Sequence, residues 1–178
     1  MAIVLLSPLL LALSVLIFCV DGAPVIFTQK RVGRDNGLFT ICKFRTMKKG
    51  VGNVAKRDLQ NYEDSLIPCG KFLRRTSLDE LPQLFNIVKG DMSFVGPRPL
   101  IPEEARIREM RREAGVYTVR PGVTGLAQVS GRDCITDEEK TAFDKQYVEH
   151  HNLWADFRIL CKTVAVVLTH KGMGRDAE

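Results

Sequence analysis

The chain has 178 residues, a length that suits one modest domain with a hydrophobic core of its own. Its five cysteines are odd in number, scattered and never in Cys-x-x-Cys spacing, which argues against a disulfide framework or a zinc site and indicates a reducing compartment. The formal net charge of +5 favours anionic partners, namely nucleic acid, lipid headgroups or phosphorylated substrates.

The first predicted element is an apolar helix over residues 2–20, interrupted only by Ser7, Pro8 and Ser14. A helix of this length reaches about 28 Å, close to the thickness of a bilayer core, so a single span fits. A secretory signal is disfavoured because there is no basic n-region and no clear cleavage site. A third interpretation is a re-entrant hairpin, in which Pro8 breaks the helix inside the membrane and Ser7 satisfies freed backbone groups.

Residues 25–44 predict a β-hairpin, with two apolar-rich strands joined by a turn at residues 33–37. Lys43 and Arg45 lie at the end of the second strand, and two interpretations of them stay open. They either decorate a solvated strand edge or contact substrate phosphates or lipid headgroups. The polar residues 48–65 predict no more than a connection and a short helix.

An acidic pair, Asp79-Glu80, stands between basic residues at Arg74 and Arg98. Carboxylates flanked by fixed arginines suit a site that attacks a phosphorus centre while neutralising phosphate oxygens. Arg98 lies between two prolines, so its backbone is held extended and its guanidinium is aimed for bidentate phosphate recognition. The plainer alternatives are a helix cap at Asp79, a solvated Glu80 and a surface arginine in a turn.

A helix is predicted from about Asp79 to Lys89, because apolar residues recur at helical spacing and Gly90 is a natural stop. Proline is tolerated only in a first turn, so Pro82 favours Asp79 over Ser77 as the N-cap. Both carboxylates would then lie at the positive end of a helix, where unpaired N–H groups favour anions.

The second half of the chain predicts mainly helices. Residues 101–115 are dense in Glu and Arg and predict a solvated helix, although Arg106, Arg111 and Arg112 could instead meet anionic headgroups. A capping box at Thr136 opens a further helix. An apolar stripe then runs along a last helix over residues 153–168.

Two features of this half leave alternatives open. Gly122, Gly125 and Gly131 precede Arg132 in what is either an ordinary glycine-containing loop or a close approach to a ligand. Trp154, in the last helix, suits either a membrane interface or the hydrophobic core.

Three segments carry a resemblance: PVIFTQKRVGRDNGLFTICKFRTM, LRRTSLDELPQLFNIVKGDMSFVGPRP and VRPGVTGLAQVSGR. They closely resemble the bacterial monotopic phosphoglycosyl transferases, in order and without large gaps, from about Ser7 to about Val167. The resemblance implies transfer of a sugar-1-phosphate from a UDP-sugar to a polyprenol (undecaprenol) phosphate. UMP is released, and the reaction is the first membrane step of glycoconjugate or exopolysaccharide assembly.

The resemblance also implies roles for single residues. Asp79 would attack the phosphorus and carry the phosphosugar covalently, and Glu80 would help to hold a Mg²⁺ cofactor. Arg74 and Arg98 would grip the phosphoryl oxygens. The glycine-containing segment would close over the substrate, with Arg132 as a third phosphate ligand.

We therefore expect an α+β fold, mostly helical with one β-hairpin, in which residues 1–21 form a membrane-embedded re-entrant or spanning helix. The resemblance implies the re-entrant form, broken at Ser7-Pro8, with residues 22–178 as a catalytic domain on the cytoplasmic face of the bacterial inner membrane. The basic residues after Val20 favour the same side. Only six residues precede Ser7, fewer than the family usually has, which leaves a start further upstream open.

The expected partners are a UDP-sugar, a polyprenol phosphate and membrane lipid, without nucleic acid, and a homodimer is left open. The alternative from another class is a non-catalytic, membrane-anchored basic module that binds anionic lipid or nucleic acid. It accounts for the charge and the apolar N-terminus equally well, but gives no reason for the acidic pair. A third interpretation is an inactive family member that serves as an assembly partner.

Overall fold

The computed structural model describes residues 2–51, 62–131 and 134–169, and within these ranges the fold is α+β, as predicted. Helices prevail over strands, and the strands form two small two-stranded sheets. The helices are α1 (Ala2–Asp21), α2 (Gly70–Arg75), α3 (Gln83–Lys89), α4 (Ala105–Glu113), α5 (Leu126–Ser130), α6 (Asp137–His150) and α7 (Leu153–Thr169). The strands are β1 (Ile26–Val32), β2 (Leu38–Phe44), β3 (Ser93–Val95) and β4 (Gly122–Thr124).

The chain folds into two compact units. The first comprises Met1–Gln29 and Ile41–Asn86, and the second comprises Lys30–Thr40 and Ile87–Glu178. Each is described below by itself. The boundary between an anchor at residues 1–21 and a catalytic domain at residues 22–178 stays a prediction.

In the first unit, α1 supplies part of the core and exposes most of the rest of its surface. Leu13 and Ile17 pack with Phe44, Ile67 and Leu73. The stretch Ile3–Asp21 is long and apolar enough to cross a membrane, and only 11% of it is buried in the protein. A helix that is apolar on nearly all sides and largely uncovered is typical of a segment that lies in lipid.

α1 runs without interruption through Pro8, so the predicted break at Ser7-Pro8 is not seen. Proline lacks an N–H group, and the carbonyl of Val4, four residues earlier, therefore loses its usual helical partner. The Ser7 hydroxyl donates to that carbonyl at 2.8 Å. The predicted role of Ser7 is thus confirmed, and it helps to explain how the helix accommodates Pro8.

The predicted β-hairpin is confirmed, since β1 and β2 pair in one sheet. Its turn is closed by the Gly33 amide, which donates to the Gly37 carbonyl at 2.7 Å. Asp35 and Asn36 adopt left-handed backbone angles, with φ values of 54° and 58°. Short Asp and Asn side chains tolerate this conformation better than most, so the turn chemistry was visible in the sequence.

In the second unit, β3 and β4 run parallel, with Ser93 opposite Gly122 and Val95 opposite Thr124. A Cβ atom at Gly122 would lie 2.1 Å from the Gly96 amide nitrogen, and one at Gly125 would lie 2.2 Å from the Gly96 carbonyl oxygen. Glycine is needed at both positions because two backbone segments touch there. The expected glycine-containing loop is therefore largely β4 and α5, and these glycines approach the protein's own backbone.

α4 and α6 pack together through charged pairs at two levels. Arg106 pairs with Glu138 at the surface, whereas Arg111 pairs with Asp144 in the interior. The expectation that Arg111 lies on a solvated or lipid-facing surface is wrong, because its exposed fraction is 3%. The capping box at Thr136 is confirmed.

α7 exposes the apolar stripe predicted for it. Ile159 alone among its described residues is fully buried, where it joins Val95 and Tyr147. Trp154 is 71% exposed, which rules out its placement in the core. The exposed apolar residues of this helix are Leu153, Trp154, Phe157, Leu160, Val164 and Leu168.

Candidate active site

The acidic pair lies in a 3₁₀ turn, Leu78–Glu80, and α3 begins only at Gln83. The predicted helix start at Asp79 is therefore wrong, and Ser77 is left-handed with φ 57° and makes no side-chain cap. Around Pro82 the backbone forms hydrogen bonds between residues three apart, such as that from the Leu84 amide to the Leu81 carbonyl at 3.1 Å. Such i→i+3 bonds are common where a helix begins. The predicted end is confirmed at Lys89, followed by Gly90 with φ 89°.

Asp79 is buried, with an exposed fraction of 8%. It does not cap α3, so the plainest alternative to a chemical role no longer applies. A buried carboxylate costs free energy unless polar groups compensate it, and such groups are therefore commonly functional.

Lys43 lies beside the acidic pair. Its Nζ atom is 2.7 Å from Glu80 Oε1, and the two side chains are only 15% and 17% exposed. The hairpin strand β2 thus brings a cation to the turn that carries both carboxylates. A solvated strand edge is excluded for Lys43, while contact with a substrate phosphate stays a prediction.

Arg45 is buried elsewhere in the first unit, and the prediction that it contacts phosphates or headgroups is wrong. Nε donates to the Pro24 carbonyl, and Nη1 bonds the Asp21 carboxylate and the Met47 carbonyl. Nη2 donates to the carbonyls of Asp21 and Gly22. All five N–H groups of the guanidinium are thus used. Arg45 is a structural residue that fixes the C-terminal end of α1 to β2.

Arg74 is half-buried and held by neutral hydroxyl groups. Its Nε donates to Thr46 Oγ1 at 2.8 Å, its Nη1 donates to the Tyr62 hydroxyl at 2.7 Å, and the guanidinium lies 5.3 Å from the centre of the Tyr62 ring. Neutral acceptors orient a guanidinium without cancelling its charge. Arg74 is therefore preorganised as a cation of the first unit, as a phosphate ligand would need to be.

Arg98 belongs to the second unit, where it is exposed between the buried Pro97 and Pro99. Arg132 lies outside the described residues. Their predicted contacts with phosphate stay predictions.

Sequence reasoning missed two buried amides next to the acidic pair in the chain. Gln83 and Asn86 are each 2% exposed, and Asn86 Oδ1 accepts the Cys42 amide at 3.0 Å. Phe85 and Val88 are instead 54% and 77% exposed. α3 therefore buries polar residues and exposes apolar ones. The signal was the three-residue spacing of Gln83 and Asn86, which places them on one helical face.

The donor set fits Mg²⁺ only as a site shared with a substrate. No cluster of three or more His, Cys, Asp or Glu side chains suited to a metal occurs among the described residues. Mg²⁺ commonly takes one or two carboxylates and completes its shell with waters and substrate phosphates. Glu80, next to Asp79 in the same turn, has hard carboxylate oxygens of the kind that such a site would use.

The site thus consists of a buried Asp79 and a partly buried Glu80 with Lys43 against it, in a chain that carries an apolar helix long enough to cross a bilayer. The chain belongs to the bacterial sugar transferase family, which it matches over residues 1–170. The resemblance noted from the motifs is therefore confirmed.

Individual relatives cover the chain well. It is 42% identical to a UDP-galactose-lipid carrier transferase of Erwinia amylovora, over 96% of this chain and 39% of the relative. It is 41% identical to an undecaprenyl-phosphate galactose phosphotransferase of Salmonella typhimurium, over 85% of this chain and 35% of the relative. It is 39% identical to the exopolysaccharide production protein ExoY of Rhizobium meliloti, over 96% of this chain and 82% of the relative. The chain thus spans little more than a third of the first two relatives and most of the third.

Proposed function

We propose that this protein transfers a sugar-1-phosphate from a UDP-sugar to a polyprenol phosphate and releases UMP. The observation that carries the proposal is the buried Asp79 next to Glu80, with Lys43 held 2.7 Å from Glu80. The names of the relatives support the same reaction class, and two of them specify galactose. UDP-galactose is therefore the first donor to test, with undecaprenyl phosphate as acceptor.

The proposed reaction consists of two displacements at the same phosphorus. A carboxylate oxygen of Asp79 bonds to the phosphorus that bears the sugar, and the bond from that phosphorus to the UMP oxygen breaks. A phosphate oxygen of the lipid then bonds to the phosphorus, and the carboxylate of Asp79 leaves unchanged. Two steps allow one acidic site to serve a water-soluble donor and a lipid acceptor in turn.

The cations of the first unit have separate parts in this scheme. Lys43, paired with Glu80, lies where it would offset the negative charge that a diphosphate brings to the pair. Arg74, oriented by Thr46 and Tyr62, would bind phosphoryl oxygens. We also propose Arg98 and Arg132 as phosphate ligands, as the resemblance implies.

Glu80 would hold Mg²⁺ together with the diphosphate of the donor. The bound ion would neutralise charge on the departing phosphate oxygens. Lys43 contacts the same carboxylate and would help to balance its charge. Glu80→Gln should raise the Mg²⁺ concentration needed for half-maximal turnover, and an unchanged Mg²⁺ requirement would exclude this role.

The nucleophile is tested by trapping. Full-length protein in detergent is mixed with UDP-galactose labelled in the sugar, without acceptor, and the denatured protein is assayed for label. Wild type should retain label and Asp79→Asn should not, with turnover falling to background. Asp35→Asn, which alters a carboxylate that is 78% exposed in the hairpin turn, is the matched control. Substantial turnover by Asp79→Asn would sink the assignment.

We also propose that α1 enters the bilayer and returns to the cytoplasmic face by bending at Pro8 without loss of helix, because proline removes a helical N–H group there and Ser7 bonds the freed carbonyl of Val4. Single cysteines are introduced at Ala2 and Lys145 in a cysteine-free background, and intact cells are treated with a membrane-impermeant maleimide. A re-entrant helix predicts that both cysteines react only after lysis. Labelling of the Ala2→Cys variant in intact cells would instead show a spanning helix.

A further inference from the structure

The backbone around Arg98 is fixed at every peptide from Pro97 to Leu100. Each of the four consecutive carbonyl groups accepts a hydrogen bond, and the donors come from three separate parts of the second unit. The bonds are Gly122 N to Pro97 O (2.9 Å), Arg111 Nη1 to Arg98 O (2.7 Å), Arg31 Nη1 to Pro99 O (3.2 Å) and Val32 N to Leu100 O (2.9 Å).

Arg98 is the residue of this segment whose side chain faces outwards. Pro97, Pro99 and Leu100 are buried, whereas Arg98 is exposed. A segment whose backbone is bonded throughout and whose flanking side chains are buried can present one guanidinium in a defined direction.

The donor to the Arg98 carbonyl is Arg111, a charged side chain whose burial costs free energy. Arg111 and Asp144 are 3% and 1% exposed, and Arg111 Nη2 lies 2.5 Å from Asp144 Oδ2. A buried ion pair is often no more stabilising than two apolar residues of similar size, so its presence is poorly explained by stability alone. Here Nη2 of the arginine contacts the carboxylate while Nη1 donates to the carbonyl of Arg98.

We propose that Arg111, oriented by Asp144, is a positioning residue that aims Arg98 at the donor's phosphate. The inference rests on the proposed function, because it assumes that Arg98 binds phosphoryl oxygens. Asp144 would hold Arg111, Arg111 would hold the Arg98 carbonyl, and the two prolines would transmit that restraint to the side chain. Neither Arg111 nor Asp144 would touch the substrate.

The test uses Arg111→Lys, which keeps a charge for Asp144 but replaces the fork that reaches both partners with a single ammonium. Because misplacement of a binding group by about 1 Å can cost about 100-fold in rate, we expect kcat/KM for the UDP-sugar to fall about 10- to 100-fold. Amide hydrogen exchange should rise in the peptide that contains residues 96–100. Arg106→Gln is the matched control, since it breaks the surface pair between the same two helices. It should change neither kcat/KM nor the exchange of residues 96–100.

A double-mutant cycle with Arg98→Ala separates an effect of Arg111 through Arg98 from a general loss of stability. If Arg111 acts through Arg98, the double variant Arg98→Ala/Arg111→Lys should lose no more activity than Arg98→Ala alone. Losses that multiply, or exchange at residues 96–100 that is unchanged in Arg111→Lys, would overturn the proposal. If Arg111→Lys does not fold, Arg111→Met/Asp144→Leu replaces the buried pair with apolar residues and is put through the same cycle.

Failure of the proposed function has a different signature. Full activity of Arg98→Ala would remove Arg98 from the reaction. A rise in exchange in Arg111→Lys would still show that Arg111 restrains the segment. Hydrogen exchange therefore tests whether Arg111 restrains the segment, and the kinetic cycle tests whether that restraint matters for the reaction.

Discussion

Lys43 lies in β2 and Arg45 follows directly after that strand, yet their environments differ. Lys43 contacts the Glu80 carboxylate in the site, whereas all the N–H groups of Arg45 donate to Asp21, Gly22, Pro24 and Met47, away from the acidic pair. Sequence reasoning treated the two cations alike, because residue type and spacing do not show how many acceptors surround a side chain. The distinction predicts opposite effects of mutation.

Replacing Arg45 should lower stability and leave substrate binding intact. Arg45→Gln breaks the pair with Asp21 and leaves several carbonyls without donors, which should cost about 3 kcal/mol or more. For a chain of this length that lowers Tm by about 10 °C. Thermal unfolding in detergent measures the change, with KM for the UDP-sugar as second readout. Arg34→Gln, which breaks an exposed pair with Asp35, is the control. A stable Arg45→Gln variant with a raised KM would contradict the structural role.

Asp144 predicts a pH dependence of stability. Burial raises the pKa of this carboxyl to about 6, with Arg111 and then Lys140 opposing the rise. In the unfolded chain the pKa lies near 3.9, so between these values the folded state binds the proton and the unfolded state does not. The contribution of Asp144 to stability is therefore greatest at low pH and falls as pH rises through that interval.

Asp144→Asn provides the comparison, since an amide does not titrate. The difference in unfolding free energy between wild type and variant should shrink by up to about 3 kcal/mol from pH 4 to pH 7. Urea unfolding at several pH values measures it. A difference that grows with pH would mean that Arg111 outweighs burial and lowers the pKa of Asp144.

At the scale of elements, patterns that depend on near neighbours were predictable. The hairpin, the capping box of α6 and the end of α3 at Lys89 all follow from local turn and cap chemistry. The start of α3 was not predictable, because tight turns around Pro82 replace the first helical turn. The close approach of Gly122 and Gly125 to Gly96 was not predictable either, since Gly96 is remote from them in sequence.

The close approach of β4 to Gly96 gives a test at this scale. A Cβ at Gly122 would meet backbone on two sides, at 2.1 Å from Gly96 N and 2.4 Å from Thr124 O. Backbone atoms yield less than side chains, so Gly122→Ala should cost about 1–3 kcal/mol or more. Gly90→Ala is the control, because its site is open and only the φ of 89° opposes alanine, at about 1 kcal/mol. Equal losses in urea unfolding would refute the packing argument.

α3 shows why the candidate site was only partly predictable. The acidic pair and Arg74 were visible in the sequence as candidate chemistry, and Phe85 and Val88 were visible as apolar residues at helical spacing. In the structure these residues are exposed and Gln83 and Asn86 are buried. Periodicity identifies a two-sided helix but does not say which side is covered, because solvent, lipid and protein are not distinguished by the pattern.

At the scale of the whole molecule, apolar surface is exposed on both α1 and α7. Soluble monomers rarely expose large contiguous apolar patches, so such faces mark sites of membrane or protein contact. Together with the net charge of +5, each of these faces taken by itself suits contact with a bilayer that carries anionic headgroups. Trp154 lies on α7 and is the single tryptophan of the chain, so its fluorescence reports on that helix alone.

We predict that Trp154 lies at the interface of the bilayer. In vesicles that contain anionic lipid, its emission should move to shorter wavelength, and lipids brominated near the headgroup should quench it more than lipids brominated near the chain end. Acrylamide should quench the Trp154 fluorescence less when the protein is bound to vesicles than when vesicles and detergent are absent. Emission that is unaffected by brominated lipid would show that α7 faces water or another protein.

The contact between Arg45 and the end of α1 has a consequence for where the proposed transfer would take place. Asp21 is the first charged residue after the apolar run, so on the proposed topology it marks the depth at which lipid gives way to water. Arg45, directly after β2, bonds to Asp21 at this depth, and Lys43, two residues earlier in the chain, contacts Glu80. The acidic pair would then sit at a fixed height near the lipid phosphates, and the acceptor would keep its long hydrocarbon tail immersed throughout the transfer.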